Sequence, residues 1–476
     1  MNKSRHKGLA LILLAVSQLI LALDYTIVFV AMPSIGADLG FSANHLQWVV
    51  SAYSLVFGGF LLIGGRLSDL MGRRRMFIIA MALFGAGSLL GGLADSQMVL
   101  IAARGLQGLG GALLSPSTLS LIMSNFDEGA ERNRAMGIWA SMGGVGLSLG
   151  LLLGGVLTSY LGWEFTFFVN VPIALITLIL APFVLAENKA ASGPKRYDAL
   201  GTISVTAGMI LIVYYLIQSP VEGWLSLGTL PFGLLSALLL VLFVVIEQRT
   251  KEPLIPFRLF RNRNLTGAAL IAVLFSASFG SLYYFLTLYT QEVLHYSAIQ
   301  SGVSFLPLTI SAFLGGRLIN KMLSMAGVAG TVTIGMILGG IGFLVLTQLS
   351  ENGSAWGIIP GTVIVGLGQA LVFTTMFIAG STGIDPKEQG VASAIISTGQ
   401  QIGSAVGLAA IMAIISANLG SGLKLEALES SDLNHAIHMS FFAASVMTLL
   451  GVAVTFITLK RKKQPSKMEK KEMASH

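Results

Sequence analysis

The 476-residue chain contains no cysteine, which excludes a disulfide framework and any thiolate metal site. Charge is scarce as well: Asp, Glu, Lys and Arg together make up 11% of it, against about 25% in an ordinary globular domain. So little polar surface could not cover a soluble globule of this size. The chain has no GxxxxGK[ST] phosphate loop, so an ATP-driven pump is unsupported. It lacks the cluster of His, Asp or Glu near one interface that a membrane-embedded enzyme would need, and no apolar run holds a ring-forming polar filter, which disfavours a channel. His435 and His438 share a helical i, i+3 spacing but have no further ligands nearby, so no metal site is expected.

What the chain has in excess is apolar length and glycine, with 54% hydrophobic residues and 56 glycines. That excludes disorder and points to a bilayer as the outer solvent. A spanning helix needs about 20 mostly apolar residues. Such runs occupy roughly 8–31, 45–65, 76–94, 97–122, 135–159, 165–186, 199–218, 228–247, 266–290, 299–321, 327–349, 356–379, 390–416 and 436–459, fourteen in all. Of the 29 Lys and Arg residues, 27 fall in the N-terminal tail, the C-terminal tail, or in or at the edge of the even-numbered connections, with Arg317 and Lys321 counted at the end of the run 299–321. The exceptions are Lys424, in an odd-numbered connection, and Arg104, inside a run. The positive-inside rule then puts both termini in the cytoplasm, as an even number of spans requires. The net charge of +7 therefore reflects topology rather than nucleic-acid binding, and the basic tail from Lys460 to Lys471 reads as a stop-transfer and lipid-surface segment.

The chain also repeats itself. GGRL occurs at Gly64–Leu67 and Gly315–Leu318, 251 residues apart, and the ladder Gly146, Gly150, Gly154 recurs as Gly399, Gly403, Gly407, 253 residues on. The repeat unit is six spans, with spans 7 and 8 inserted between two parallel copies. Two related bundles around a midplane cavity are the architecture of a secondary transporter. The expected divisions are an N-terminal bundle over 1–190, inserted helices over 191–252, a C-terminal bundle over 253–460 and a basic tail over 461–476. Spans 7 and 8 are expected to stay outside the cavity.

Several motifs carry a family resemblance. The first cytoplasmic loop, GGRLSDLMGRRR, has Gly65, an Asp four residues on (Asp69), Gly72 three after that, and the basic cluster Arg73–Arg75. It resembles the loop 2–3 signature of the major facilitator superfamily. LDYTIVFVAMP (Leu23–Pro33), QWVVSAYSL (Gln47–Leu55), RGLQGLGGA (Arg104–Ala112) and PLIPFRLFRNRN (Pro253–Asn264) are similar to segments of the fourteen-helix drug:proton antiporters. The resemblance implies an all-α integral membrane protein with the major facilitator fold: two six-helix bundles plus two inserted helices. It also implies export of lipophilic or amphipathic compounds driven by proton entry, with no cofactor beyond the proton gradient. The expected protein is a monomeric, non-enzymatic multidrug exporter of the cell membrane; the rival is a proton-linked or facilitative carrier of one small metabolite. The chain departs from the family where Leu151 stands for Pro, Glu164 for Arg, Gln400 for Arg and Phe29 for Asn.

Charge inside a bilayer is costly and usually functional. Among the 22 acidic residues only Asp24 lies deep in a span, and Arg104 is the only deep base. Each sits seven residues from the outer end of its span, roughly 10 Å below the surface at 1.5 Å per residue. Either Asp24 carries the proton and Arg104 tunes it, or the two form a structural ion pair. Gating is expected of Gly65, Arg66, Asp69, Gly72 and Arg73, with Asp69 and Arg73 as a cytoplasmic latch. Gly146, Gly150 and Gly154 would pack the moving interface. Trp48, Tyr53, Trp139, Tyr284, Gln369 and Gln401 are candidates for the cavity wall. With one deep carboxylate, the expected cargo is a monovalent cation or a neutral amphiphile, and a rigid dication is expected to be carried poorly.

Overall fold

In hydrocarbon an apolar segment has no water to satisfy its backbone, so it must close its own hydrogen bonds, and a helix does so within one segment. The computed structural model describes residues 3–41, 46, 48–186, 199–250, 253, 255–385, 388–419 and 430–459. Among the described residues all regular structure is helical. We label the spans in chain order: α1 (Lys3–Asp38), α2 (Trp48–Met71), α3 (Arg73–Gly92), α4 (Gln97–Asn125), α5 (Ala130–Tyr160), α6 (Phe165–Val184), α7 (Ala199–Glu222), α8 (Leu230–Arg249) and α9 (Arg263–Leu288). After these, α10 covers 298–326, α11 covers 328–346, and α12 (Ala355–Ser381), α13 (Gln389–Leu419) and α14 (Ser430–Thr458) complete the set.

Twelve helices among the described residues are long and apolar enough to cross a membrane. The difference from fourteen has two sources. Ile299–Leu346 counts once, yet its 48 residues span two expected segments, and the chain turns between them at Gly327, where φ is 67°. Only glycine takes that conformation readily. The other concerns α7 (Ala199–Glu222), where the described side chains run without interruption only over Leu200–Leu216.

Glycine sets how closely the helices approach. On α5, a β-carbon at Gly146, Gly150 or Gly154 would strike the carbonyl oxygens of Leu19, Leu23 and Ile27 on α1. On α13, Gly399, Gly403 and Gly407 face Ala269, Val273 and Ala277 of α9 in the same way. The glycines differ by 253 residues (399 − 146) and their partners by 250 (269 − 19), so one backbone-to-backbone contact is built twice. Thr26 adds a hydrogen bond across the first copy, donating to the Leu147 carbonyl at 2.7 Å.

The interface between the two halves is repeated as well. Gly65 on α2 faces Gly390 and Ala394 of α13, while Gly316 on α10 faces Gly137 and Ser141 of α5. Gly390 and Ala394 each lie 253 residues beyond Gly137 and Ser141 (390 − 137, 394 − 141). The α2–α13 and α5–α10 contacts are therefore pseudo-symmetric copies of one small-residue interface. The inserted helices pair with each other, and α7 also packs on α2 and α13. At the ends, Lys7 pairs with Asp127 at 3.2 Å and Glu131 at 3.0 Å, and its ammonium holds the Asp127 carboxyl below the usual carboxylate range. Arg258 pairs with Glu388 at 2.7 Å. Glu247, buried in the last turn of α8, accepts the Ile255 amide at 3.2 Å and ties down the connection to α9.

The ladders generate a stability prediction. Gly403→Ala puts a methyl group into the Val273 backbone and is expected to cost about 1–3 kcal/mol, the usual penalty of overpacking. Gly8→Ala, with nothing within 4 Å of the new carbon, is the control. Melting of the detergent-solubilised variants checks this, and equal melting temperatures would contradict the packing account.

Candidate functional site

Three spans bring polar side chains to one buried point. Asp24 on α1, Arg104 on α4 and Asn170 on α6 are each 0% exposed. Arg104 donates from a terminal nitrogen to Asp24 Oδ2 at 2.7 Å. Gln107 Nε2 and Asn170 Nδ2 donate to Asp24 Oδ1 at 2.7 and 2.8 Å. The carboxylate thus accepts three hydrogen bonds, as befits a group that is acceptor-only when ionised. Arg104 is held in turn: Nε donates to the Val49 carbonyl at 2.8 Å, and the nitrogen that meets Asp24 also meets Gln107 Oε1 at 2.9 Å. The Tyr53 ring lies beneath the guanidinium, 4.6 Å from Cζ to the ring centroid, and Phe167 stands at 6.0 Å. Gln107 also donates to Ser88 Oγ at 2.8 Å. Gly87 leaves the space for its side chain, since a β-carbon there would meet Gln107 Cγ at 2.8 Å.

Asp24 and Arg104, paired by depth in the sequence, are in direct contact. Gln107, Asn170 and Ser88 were not anticipated. Gln107 could have been: it sits three residues after Arg104 on the same helix, hence on the same face. Asn170 lies five residues into its span from Phe165, close to the depth of the pair, but a lone Asn in an apolar helix does not announce its partner.

Beside this cluster, between the halves, is a cavity of about 260 Å³. Its wall is drawn from α1, α2, α4, α5, α9, α10, α12 and α13. It includes Tyr53, Trp139, Gln369 and Gln401, while Trp48 and Tyr284 lie elsewhere. Trp48 stacks on Tyr214 of α7, with centroids 6.0 Å apart, and Tyr284 packs edge-on against Phe285 at 5.2 Å. Gln18, Tyr25, Tyr283 and Gln400 also line the space, and none of the described side chains of α7 or α8 does. None of the lining residues is Asp, Glu, Lys, Arg or His. Trp139 stacks on Phe373 at 5.8 Å and meets Phe377 edge-on at 5.8 Å, so aromatic rings of both halves share one wall. Asp24 and Arg104 are outside the lining, but Tyr53 touches both the cavity and the guanidinium.

In loop 2–3, Gly65 lies against α13, and Gly72 has φ 93°, in the region that favours glycine. Arg73 donates to the Ser120 carbonyl on α4 at 3.4 Å, and Arg74 reaches the Pro182 and Leu185 carbonyls at 3.3 Å, which clamps the loop to α4 and α6. Arg66 is half-buried at the end of α2. The Asp69 side chain, and hence the Asp69–Arg73 latch, lies outside the described residues, as do Lys189, Lys195, Arg196, Lys251, Lys387, Lys424 and the tail over 461–476. Among the described residues no three of His, Cys, Asp and Glu are grouped to hold a metal ion.

Residues 14–408 match the Major Facilitator Superfamily. The chain is 37% identical over 409 residues to the puromycin resistance protein pur8 of Streptomyces alboniger, covering 85% of this chain and 80% of that one. It is 37% identical over 420 residues to the cephamycin export protein CmcT of Amycolatopsis lactamdurans, covering 87% and 86%. Among solved structures, the human organic anion transporter MFSD10 (TETRAN) superposes with a TM-score of 0.67 at 14% identity, covering 94% of this chain and 99% of that one, a likeness of fold.

The buried pair makes a direct prediction. Removing one partner leaves an uncompensated charge in a dry site, at a cost of about 3–5 kcal/mol. Arg104→Gln should therefore destabilise strongly, and Asp24→Asn with Arg104→Gln should melt closer to wild type than Arg104→Gln alone. Additive losses in thermal melts would contradict an energetic coupling between the two.

Proposed function

The chain belongs to the major facilitator superfamily, and we propose that it exports lipophilic and amphipathic drugs across the cell membrane in exchange for protons, by alternating access of the central cavity. The observation that carries this reading is the pairing of a sealed Asp24–Arg104 site with an uncharged, aromatic-walled cavity, joined at Tyr53. The sealed site can hold a proton, and the cavity can hold an apolar molecule. The relatives named for puromycin resistance and cephamycin export support antibiotics as a cargo class.

In this reading Asp24 takes up the proton and Arg104 answers it. Protonation removes the negative partner of the guanidinium, which shifts against the Tyr53 ring and so alters the cavity wall. The two halves rock on the repeated small-residue interface. Gly65 provides the close approach to α13, Gly146, Gly150 and Gly154 keep α5 seated on α1, and Arg66, Asp69, Gly72 and Arg73 form the cytoplasmic gate. The bundles are 1–190 and 253–460, the inserted helices 191–252 stand outside the cavity, and both termini face the cytoplasm with the basic tail on the lipid surface. The carrier works as a monomer and draws on the proton gradient without a bound cofactor.

The cavity wall also sets the charge of the cargo. A neutral amphiphile needs no counter-charge there, and a monovalent cation can be steadied by Trp139, Tyr53 and the other rings. A rigid dication would bring two charges into a space with none to offer. In proteoliposomes with a proton gradient, a neutral or monocationic dye should accumulate at least about tenfold faster than its bis-cationic analogue, the scale of one desolvated charge. Gradient-driven accumulation should vanish in Asp24→Asn while downhill exchange persists. Equal rates for the two dyes, or uphill transport surviving in Asp24→Asn, would overturn the reading.

A further inference from the structure

The hydrogen bonds around Asp24 pose an accounting problem that one side chain can solve. As described, three donors converge on the carboxylate, from Arg104, Gln107 and Asn170. That arrangement suits the ionised form. A protonated carboxyl group adds an O–H donor and needs an acceptor. Asp24, Arg104, Gln107 and Asn170 are all 0% exposed, so bulk water does not reach this point.

The candidates for that acceptor are few. The charged or titratable side chains facing Asp24 are Arg104 on α4 and Tyr53 on α2, and Tyr25 on α1 neighbours Arg104. Arg104 has no acceptor to give. From α3 comes the Ser88 hydroxyl, which reaches the site only through Gln107. The face of α5 packed on α1 is glycine. Gln107 is committed at both ends: its Oε1 accepts from Arg104, and its Nε2 donates to both Asp24 and Ser88. Asn170 differs. Its Nδ2 donates to Asp24 Oδ1, while its Oδ1 is buried without a hydrogen-bond partner. A buried amide oxygen left unpaired is costly, and such an orphan calls for an explanation.

We propose that Asn170 is a two-way hydrogen-bond switch for Asp24, donating through Nδ2 to the ionised carboxylate and turning its amide over to accept, through Oδ1, the O–H of the protonated acid. The half-turn exchanges two nearly isosteric ends of one side chain, so Asp24 keeps a hydrogen-bond partner in both charge states without moving a helix. Asn170 is thus a positioning residue that acts through Asp24. Because α6 carries it, the turn also gives α6 a contact that differs between the two proton states of α1. This inference rests on Asp24 being the proton carrier.

Infrared difference spectra of the reconstituted protein between alkaline and acid pH separate the two ideas. Wild type should show a protonated carboxyl stretch that disappears in Asp24→Asn; its persistence there, or its absence from wild type, would sink the carrier reading itself. With that band assigned, Asn170→Leu, close in shape but with no polar atom, should shift it upward, because the acid loses its acceptor. It should also slow proton-driven export about tenfold, the scale of one buried hydrogen bond, while leaving cargo affinity unchanged. Asn170→Thr, whose hydroxyl can donate or accept by rotation, should keep the band near its wild-type position and restore transport. A band unmoved by Leu, or moved equally by Leu and Thr, would overturn the switch while leaving the carrier intact.

Discussion

Holding charge where there is no water is the constraint on which this structure turns. Among the described residues only Asp24, Arg104 and Glu247 are buried charged side chains, and Glu247 sits at the end of its helix. A carboxylate and a guanidinium in low dielectric persist only if their remaining donors and acceptors are met as well. Here that demand recruits a carbonyl from α2, an amide from α4, a hydroxyl from α3 and an amide from α6. One ion pair thereby fixes the mutual placement of α1, α2, α3, α4 and α6. The second half has no counterpart to it among the described residues, and its core is built of rings such as Phe275, Phe279 and Phe343. The repeat is therefore symmetric in backbone and asymmetric in chemistry.

The backbone symmetry has its own physical cause. Lipid tails are as apolar as leucine, so spans associate through close packing rather than hydrophobic exclusion. Glycine and alanine at four-residue spacing provide it, and the same registers recur in both halves. Where α2 meets α13 and α5 meets α10, small residues face one another, Gly65 against Gly390 and Ala394, and Gly316 against Gly137 and Ser141. The aromatic wall shared by Trp139 and Phe373 joins the two halves beside the cavity.

Much of this was legible in the residues. Apolar length locates helices because the bilayer leaves no alternative, and the offsets of 251 and 253 residues exposed the duplication before any helix was placed. The Asp24–Arg104 contact followed from their matching depth together with the neighbouring places that the resembled fold gives spans 1 and 4. The break expected between the tenth and eleventh runs falls at Gly327, where the chain turns. The cavity wall was only partly legible. Trp48 and Tyr284 are rings on helices like Tyr53 and Trp139, and which face a ring takes depends on neighbours that periodicity does not name. For Trp48 the neighbour is Tyr214 on α7, a helix outside the repeat. Asn170 was missed for the same reason: its meaning lies in a contact with a residue 146 positions away.

If the sealed pair and the cavity are coupled as the structure suggests, proton and cargo must influence each other's affinity reciprocally. Tyr53 touches the guanidinium on one side and the cavity on the other, so it is the contact through which that influence would pass. The most direct test is equilibrium binding of a neutral, non-titrating cargo analogue to the purified protein across pH. The account predicts a dissociation constant that changes with pH in wild type and is flat in Asp24→Asn. A pH dependence of the same size in both proteins would contradict it.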